Sequence, residues 1–168
     1  MAVIASAGAG LHAAKRATIL QLRAPDMTAT ELEQAANELV GSSAVPVLIS
    51  SRCDIVLASG AAGVNLPERD IAVEDARVIV GARLIGRSVH SLDSALRAEM
   101  QGADFVIFGP VWSSPSHRES TPAGVTALAE VARSLRIPVI AIGGVNDERI
   151  AECHDAGAAG YAAIRLFQ

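Results

Sequence analysis

Aromatic residues are almost absent. Phe, Tyr and Trp make up 3% of the 168 residues, so any core must be built from aliphatic side chains. Apolar runs are strand-sized, well short of the ~20 residues that span a bilayer, which argues against a membrane span. The opening MAVIASAGAG has no basic stretch ahead of a long apolar one, so no signal peptide is read and the expected location is cytoplasmic. Cysteine is scarce. Cys53 and Cys153 lack metal-ligand spacing and are read as reduced, packed residues, with a disulfide between them as the lesser alternative. Positive charge is also short. A net charge of −4 speaks against a nucleic-acid partner.

What is present is apolar surface. Hydrophobic residues reach 51%, enough for a sizeable core, and the length suits one domain covering residues 1–168. The most telling stretch is IPVIAIGGVNDE, from Ile137 to Glu148. Its apolar, β-branched start reads as a strand buried on both faces. Gly143 and Gly144 follow, then Asn146 as an N-cap and acidic residues opening a helical pattern. Glycine amides carry no Cβ to obstruct a ligand, and a helix start favours an anion, so this junction is a candidate phosphate site. The plain alternative is a tight turn that needs glycine only for its backbone angles.

Ser59, Gln101 and Ala156 each begin a segment in which a glycine closes a helical stretch, alanine follows and a strand begins. Strands alternating with helices predict a parallel sheet covered by helices. Eight strands are expected, at Val3–Ser6, Thr18–Arg23, Val45–Ser50, Gly63–Leu66, Leu84–Ser88, Phe105–Gly109, Val139–Ile142 and Tyr161–Ile164. Helices are expected over Thr28–Val40, opened by a Thr28/Glu31 capping box, and over Ser91–Gln101, capped by Ser91. Arg118–Gly124 reads as a loop. Eight strands predict a (β/α)8 TIM barrel, shortened, with the first helix reduced and the eighth missing, since such barrels typically need ~250 residues. An open doubly wound sheet is the competing architecture.

The residues from Gly86, GRSVHSLDSALRAEMQGADFVIFGPV, resemble the central region of the thiamine phosphate synthase and TenI family. IPVIAIGGVNDERI and the following GAAG segment continue the likeness. The resemblance implies a barrel whose site lies at the strand C-terminal ends and whose ligands are the phosphorylated thiazole and pyrimidine of thiamin synthesis. Gln21 and Arg23 match the first two positions of the family's QxRxK motif, but Pro25 stands at the lysine. The NDR motif becomes Ser50, Ser51 and Arg52, and HLGQxD becomes Asn65 to Asp70, so of the two magnesium-binding aspartates only Asp70 remains. Ser88 and His90 match SxH. In GPVFxTxTK, Trp112 replaces Phe, Ser114 and Ser116 replace the threonines, and His117 replaces the lysine. Gly143 and Gly144 match the thiazole-phosphate site, and Arg165 replaces the serine after the last strand.

These departures bear on chemistry. Releasing pyrophosphate from a pyrimidine cation needs strong charge neutralisation, and one carboxylate and two lysines that supply it in the synthases are gone. A thiazole tautomerase of the TenI type needs only a phosphate clamp and an acid/base group, and GRSVHS is closer to that branch. Yet Pro110 stands at the TenI catalytic histidine, which leaves His90 and His117 as candidates. The expected binding residues are Gln21, Arg23, Ser88, Ser114, Ser116, Gly143, Gly144 and Arg165, with Asp70 a doubtful metal ligand. Each has a plain alternative: a surface arginine at Arg23, a hydrogen bond to a nearby turn at His90, a solvated loop at His117. Trp112 either stacks on a heterocycle or packs its loop. The leading expectation is a protein binding thiazole phosphate or thiamine phosphate without a required cofactor, as a tautomerase. The alternatives are a synthase with an altered metal site, which would need Mg²⁺, and a non-catalytic ligand-binding barrel. A homodimer is expected, because a missing eighth helix with Leu166 and Phe167 beside it would leave apolar surface uncovered.

Overall fold

The computed structural model describes residues 1–113 and 121–167. Its centre is an eight-stranded parallel sheet in the order β1-β2-β3-β4-β5-β6-β7-β8. The strands are β1 (Ala2–Ile4), β2 (Leu20–Leu22), β3 (Val47–Ser50), β4 (Gly63–Leu66), β5 (Leu84–Val89), β6 (Phe105–Phe108), β7 (Val139–Ile142) and β8 (Gly160–Ala162). A bridge between Ala2 and Ala163 closes the sheet, so the barrel, and not the open sheet, is the fold. The Val3 N–H donates to the Ala163 carbonyl at 3.0 Å and the Met1 ammonium to the Tyr161 carbonyl at 2.7 Å across the same seam. All eight strands fall where the sequence places them, with no end shifted by more than two residues.

The helices are α1 (Ala7–Ala13), α2 (Ala29–Ser42), α3 (Cys53–Ser59), α4 (Val73–Val80), α5 (Leu92–Met100), α6 (Gly124–Ser134) and α7 (Ile150–Asp155). The capping box opening α2 is present: the Glu31 N–H donates to the Thr28 hydroxyl and the Thr28 N–H to the Glu31 carboxylate. The first helix is reduced to 7 residues, and a single 3-10 turn at Arg165–Phe167 stands where an eighth helix would run. One expectation needs correction. Phe167 adds nothing to an uncovered surface, because it is buried and stacks on Tyr161 with ring centroids 6.4 Å apart.

Two apolar layers follow from strand alternation. The outer layer, between sheet and helices, holds most of the aliphatic residues, including Leu20, Leu22, Leu39, Ile49 and Leu66. Cys53 and Cys153 lie in it as buried free thiols whose ionisation burial pushes up. The inner layer is small: Met1, Val3, Leu48, Phe105, Ile107 and Ala162. Phe105 reaches the space where a Cβ on Gly86 would stand, so glycine there lets one large ring plug the barrel. No helix among the described residues is long and apolar enough to cross a membrane.

Candidate active site

Above that plug the inward positions turn polar. Gln21 on β2, Ser50 on β3, Asn65 on β4 and Ser88 on β5 line the floor of a cavity of about 260 Å³ at the C-terminal ends of the strands. The Gln21 amide donates to the Ser50 hydroxyl at 2.7 Å and the Asn65 amide to the Ser88 hydroxyl at 3.0 Å. Gln21 and Asn65 are each 3% exposed, yet among the described residues Gln21 Oε1 and Asn65 Oδ1 have no hydrogen-bond partner. A buried amide oxygen without a partner is costly, so the floor has unmet capacity for a polar ligand.

On one side of the mouth stands His90, the residue after β5. The serine cap of α5 fixes its main chain, with its N–H donating to Ser94 Oγ at 3.3 Å. His90 Nδ1 meets Glu68 Oε2 at 2.5 Å. Burial alone would raise the Glu68 carboxyl. Hydrogen bonding on the side of Ser94 and His90, with the nearby imidazole charge, brings it below the usual carboxylate value. Behind the pair, on the outward face of β5, Arg87 is 8% exposed. It donates through Nη1 to the Ile71 carbonyl at 2.8 Å and through Nη2 to the Asp70 carbonyl at 3.4 Å. Burial lowers the Arg87 ionisation, opposed by the charges of Asp70 and Glu68.

On the other side of the mouth the cavity continues into a second one of about 440 Å³, sharing Ile142, Gly143 and Ile164 with the first. Gly143 and Gly144 have φ of 93° and 71°. A Cβ on Gly143 would lie 2.6 Å from Pro110 Cα, and one on Gly144 would lie 2.7 Å from Trp112 Cβ. Backbone and packing alone therefore require both glycines. Among the described residues, neither glycine N–H donates to a backbone acceptor, and both glycines line the second cavity. Asn146 caps the next turn as expected, its Oδ1 accepting from the Arg149 N–H at 3.0 Å. Arg149 donates to the Gly144 carbonyl at 2.6 Å and lies 5.2 Å from the Trp112 ring centroid. Trp112 thus packs its loop through Arg149. Arg165 is exposed and borders this second cavity.

The arrangement fits a magnesium pair poorly. Ser51 stands at the first aspartate position, in a left-handed conformation with φ of 64°. Asp70 Oδ1 accepts from the Ile71 N–H at 2.8 Å, capping its own turn. Among the described residues no group of three or more His, Cys, Asp or Glu is placed to hold a metal ion.

Gln21, Arg23, Ser88, His90 and Gly143 share the first cavity, and Gly144 and Arg165 border the second. Ser114, Ser116 and His117 lie outside the described residues. Ser50, Asn65 and Glu68 also line the first cavity but are not among the expected site residues. The signal for Ser50 and Asn65 was strand alternation: each is a polar residue in an apolar strand, on the parity of Gln21 and Ser88.

A parallel eight-stranded barrel with a polar cavity at its strand C-terminal ends has the build of a (β/α)8 enzyme. The description "Thiamine monophosphate synthase" matches residues 5–167, and the chain belongs to that family. A thiamine-phosphate synthase of Anaeromyxobacter dehalogenans is 38% identical over 165 residues, covering 96% of this chain and 73% of its own. One from Pyrococcus horikoshii is 36% identical over 151 residues, covering 88% of this chain and 73% of its own. The solved thiamine phosphate pyrophosphorylase of Pyrococcus furiosus superposes with a TM-score of 0.89 at 29% identity, over 97% of this chain and 84% of that one. The N-acetylmannosamine-6-phosphate 2-epimerase of Clostridium perfringens, at 16% identity and a TM-score of 0.73 over 96% of this chain and 79% of its own, shares the fold alone.

Proposed function

We propose that the protein binds a phosphorylated thiazole of thiamin synthesis and moves a proton on it, as a tautomerase. What supports this is one groove with an imidazole–carboxylate pair at one end and a pair of lining glycines at the other. In this reading the Gly143 and Gly144 amides hold the phosphate, with Arg165 adding a charge-assisted contact. The polar floor meets the heterocycle through Gln21 and Ser88, and Arg23 closes the rim. His90 takes a proton from one carbon and a proton is returned at another, so the reaction is an isomerisation with no redox change. His117 remains a candidate partner in this exchange, with Ser114 and Ser116 as phosphate contacts. The reading requires no cofactor.

The test is deuterium exchange into the thiazole carboxylate phosphate, with and without Mg²⁺. Exchange that persists without Mg²⁺ is expected. Absence of exchange in a protein that binds thiazole phosphate would leave the non-catalytic barrel instead. The second reading, a synthase, has its own support: the similar proteins bear that name, and Gln21 and Arg23 keep their motif positions. Against it stands Ser51 at the first aspartate position, which leaves Asp70 without a partner carboxylate there. Mg²⁺-dependent thiamine phosphate formation at an ordinary enzyme turnover of ~1–10³ s⁻¹ would overturn the tautomerase reading. Thiamine phosphate is then the product; otherwise it serves only as a ligand. We also read the protein as a homodimer.

A further inference from the structure

We propose that Glu68 is the positioning residue of the His90 base, and that Arg87 holds Glu68 in place from behind the strand. The inference rests on the reading of this groove as a proton-transfer site. Three observations carry it. Glu68 meets Nδ1 of His90, which leaves Nε2 as the ring nitrogen without a partner among the described residues, on a side chain that lines the cavity. With Nδ1–H donated to the carboxylate, the lone pair of Nε2 is presented to the ligand, and the ring cannot swing away without breaking that bond. Next, the main chain of His90 is already fixed by Ser94 Oγ, so the carboxylate settles the remaining freedom, the rotation of the ring.

The third observation is Arg87. A buried guanidinium is expensive unless it is paired, and among the described residues Arg87 forms no ion pair. Its two recorded contacts are the carbonyls of Asp70 and Ile71, on the segment that follows β4 and carries Glu68. Strand alternation explains how one element does both tasks. Positions 86, 88 and 90 face the barrel interior or its mouth, and position 87 faces the loop behind. β5 thus presents the base and clamps the segment that orients it. During the reaction His90 Nε2 accepts the proton from the substrate carbon and becomes imidazolium. Glu68 stays anionic and stabilises that charge, and the proton then leaves Nε2 for the second carbon.

The test uses the whole chain without ligand first. Nitrogen-15 spectra of the His90 ring are expected to show Nδ1–H in the parent. In Glu68→Leu the population should move to Nε2–H, the form an unconstrained imidazole prefers. Glu68→Gln keeps an acceptor of the same size, so it should keep the parent tautomer while losing the charge. In deuterium exchange, Glu68→Leu should lower kcat by ~10–100-fold with KM unchanged, the size typical of lost orienting partners. Glu68→Gln should show a smaller loss. Arg87→Lys cannot bridge both carbonyls and should lower kcat in the same direction. A Glu68→Leu protein with the parent ring signals overturns the proposal, as does one with the parent kcat. If the parent shows no exchange at all, the proton-transfer reading fails, and the tautomer comparison still decides whether Glu68 orients His90.

Discussion

A single inserted methyl group measures how tightly the mouth is built. Gly143 sits at φ of 93° with Pro110 Cα 2.6 Å from where a Cβ would stand. Alanine there meets both a disfavoured backbone region and a backbone clash, so Gly143→Ala is expected to destabilise by more than ~1 kcal/mol. In a domain of this length that is a fall of ~2–4 °C in melting temperature per kcal/mol. Thermal unfolding measures the fall, and calorimetry with thiazole phosphate reports the second effect, weaker binding. A variant as stable as the parent would mean that the β6 and β7 loops do not approach as described. The glycine pair was legible in the sequence, but its reading had two branches. Packing now accounts for the glycines themselves, and their place in the lining of the second cavity is what keeps phosphate binding in view.

At the scale of elements, Glu99 and Asp104 tie helices α4 and α5 to the sheet. Glu99 at the end of α5 accepts from the Arg136 N–H at 2.6 Å and the Ile137 N–H at 3.1 Å, anchoring the approach to β7. Asp104 accepts from the Ile85 N–H and from Arg77, both at 2.7 Å, joining β5, α4 and the start of β6. The α2 cap gives a prediction with a definite sign. Its backbone bond to Thr28, then the Thr28 hydroxyl, lower the Glu31 carboxyl below its ordinary value. A lowered carboxyl contributes stability above its unfolded value and loses it as pH falls through the folded one. Amide exchange at the start of α2 should therefore accelerate below the ordinary carboxylate range, and the acceleration should vanish in Glu31→Gln. Thr28→Ala should cost about 1 kcal/mol in urea unfolding at neutral pH. This cap was readable in advance because a capping box is a local pattern.

For the molecule as a whole, five of the exposed large apolar side chains sit on the consecutive helices α3, α4 and α5, while Ile71, Leu84 and Ile164 lie elsewhere. Val78 is 86% exposed on α4 and Met100 is 82% exposed on α5, with Leu57 on α3 and Leu96 on α5 also open. Single exposed apolar residues are ordinary, but several on consecutive helices suit an interface. Light scattering at micromolar concentration is expected to report about twice the chain mass of 17.3 kDa. A Val78→Asp, Met100→Asp double variant should run as a monomer with its fold intact. A monomeric parent would remove the homodimer, and a double variant that stays dimeric would move the interface away from α4 and α5.

Sequence alone determined the order and kind of the elements. A strand buried on both faces, a capping serine and a glycine after a helix are local features, each carrying its own physical signature. It also determined the parity that points Gln21 and Ser88 inward, because side chains alternate along a strand. Only the closed barrel decided what those residues meet. Glu68 and His90 are 22 positions apart, and nothing local marks a glutamate after a proline as the partner of a histidine just past the next strand. Arg87 drew no reading of its own from the sequence, and its grip on the Asp70 and Ile71 carbonyls depends on how the β4 loop folds back over β5. Phe167 read as exposed because a chain end has no periodic pattern, and its burial required the Tyr161 ring to be in place. Contacts between elements come from the closure of the sheet, which brings Ala2 beside Ala163 across nearly the whole chain.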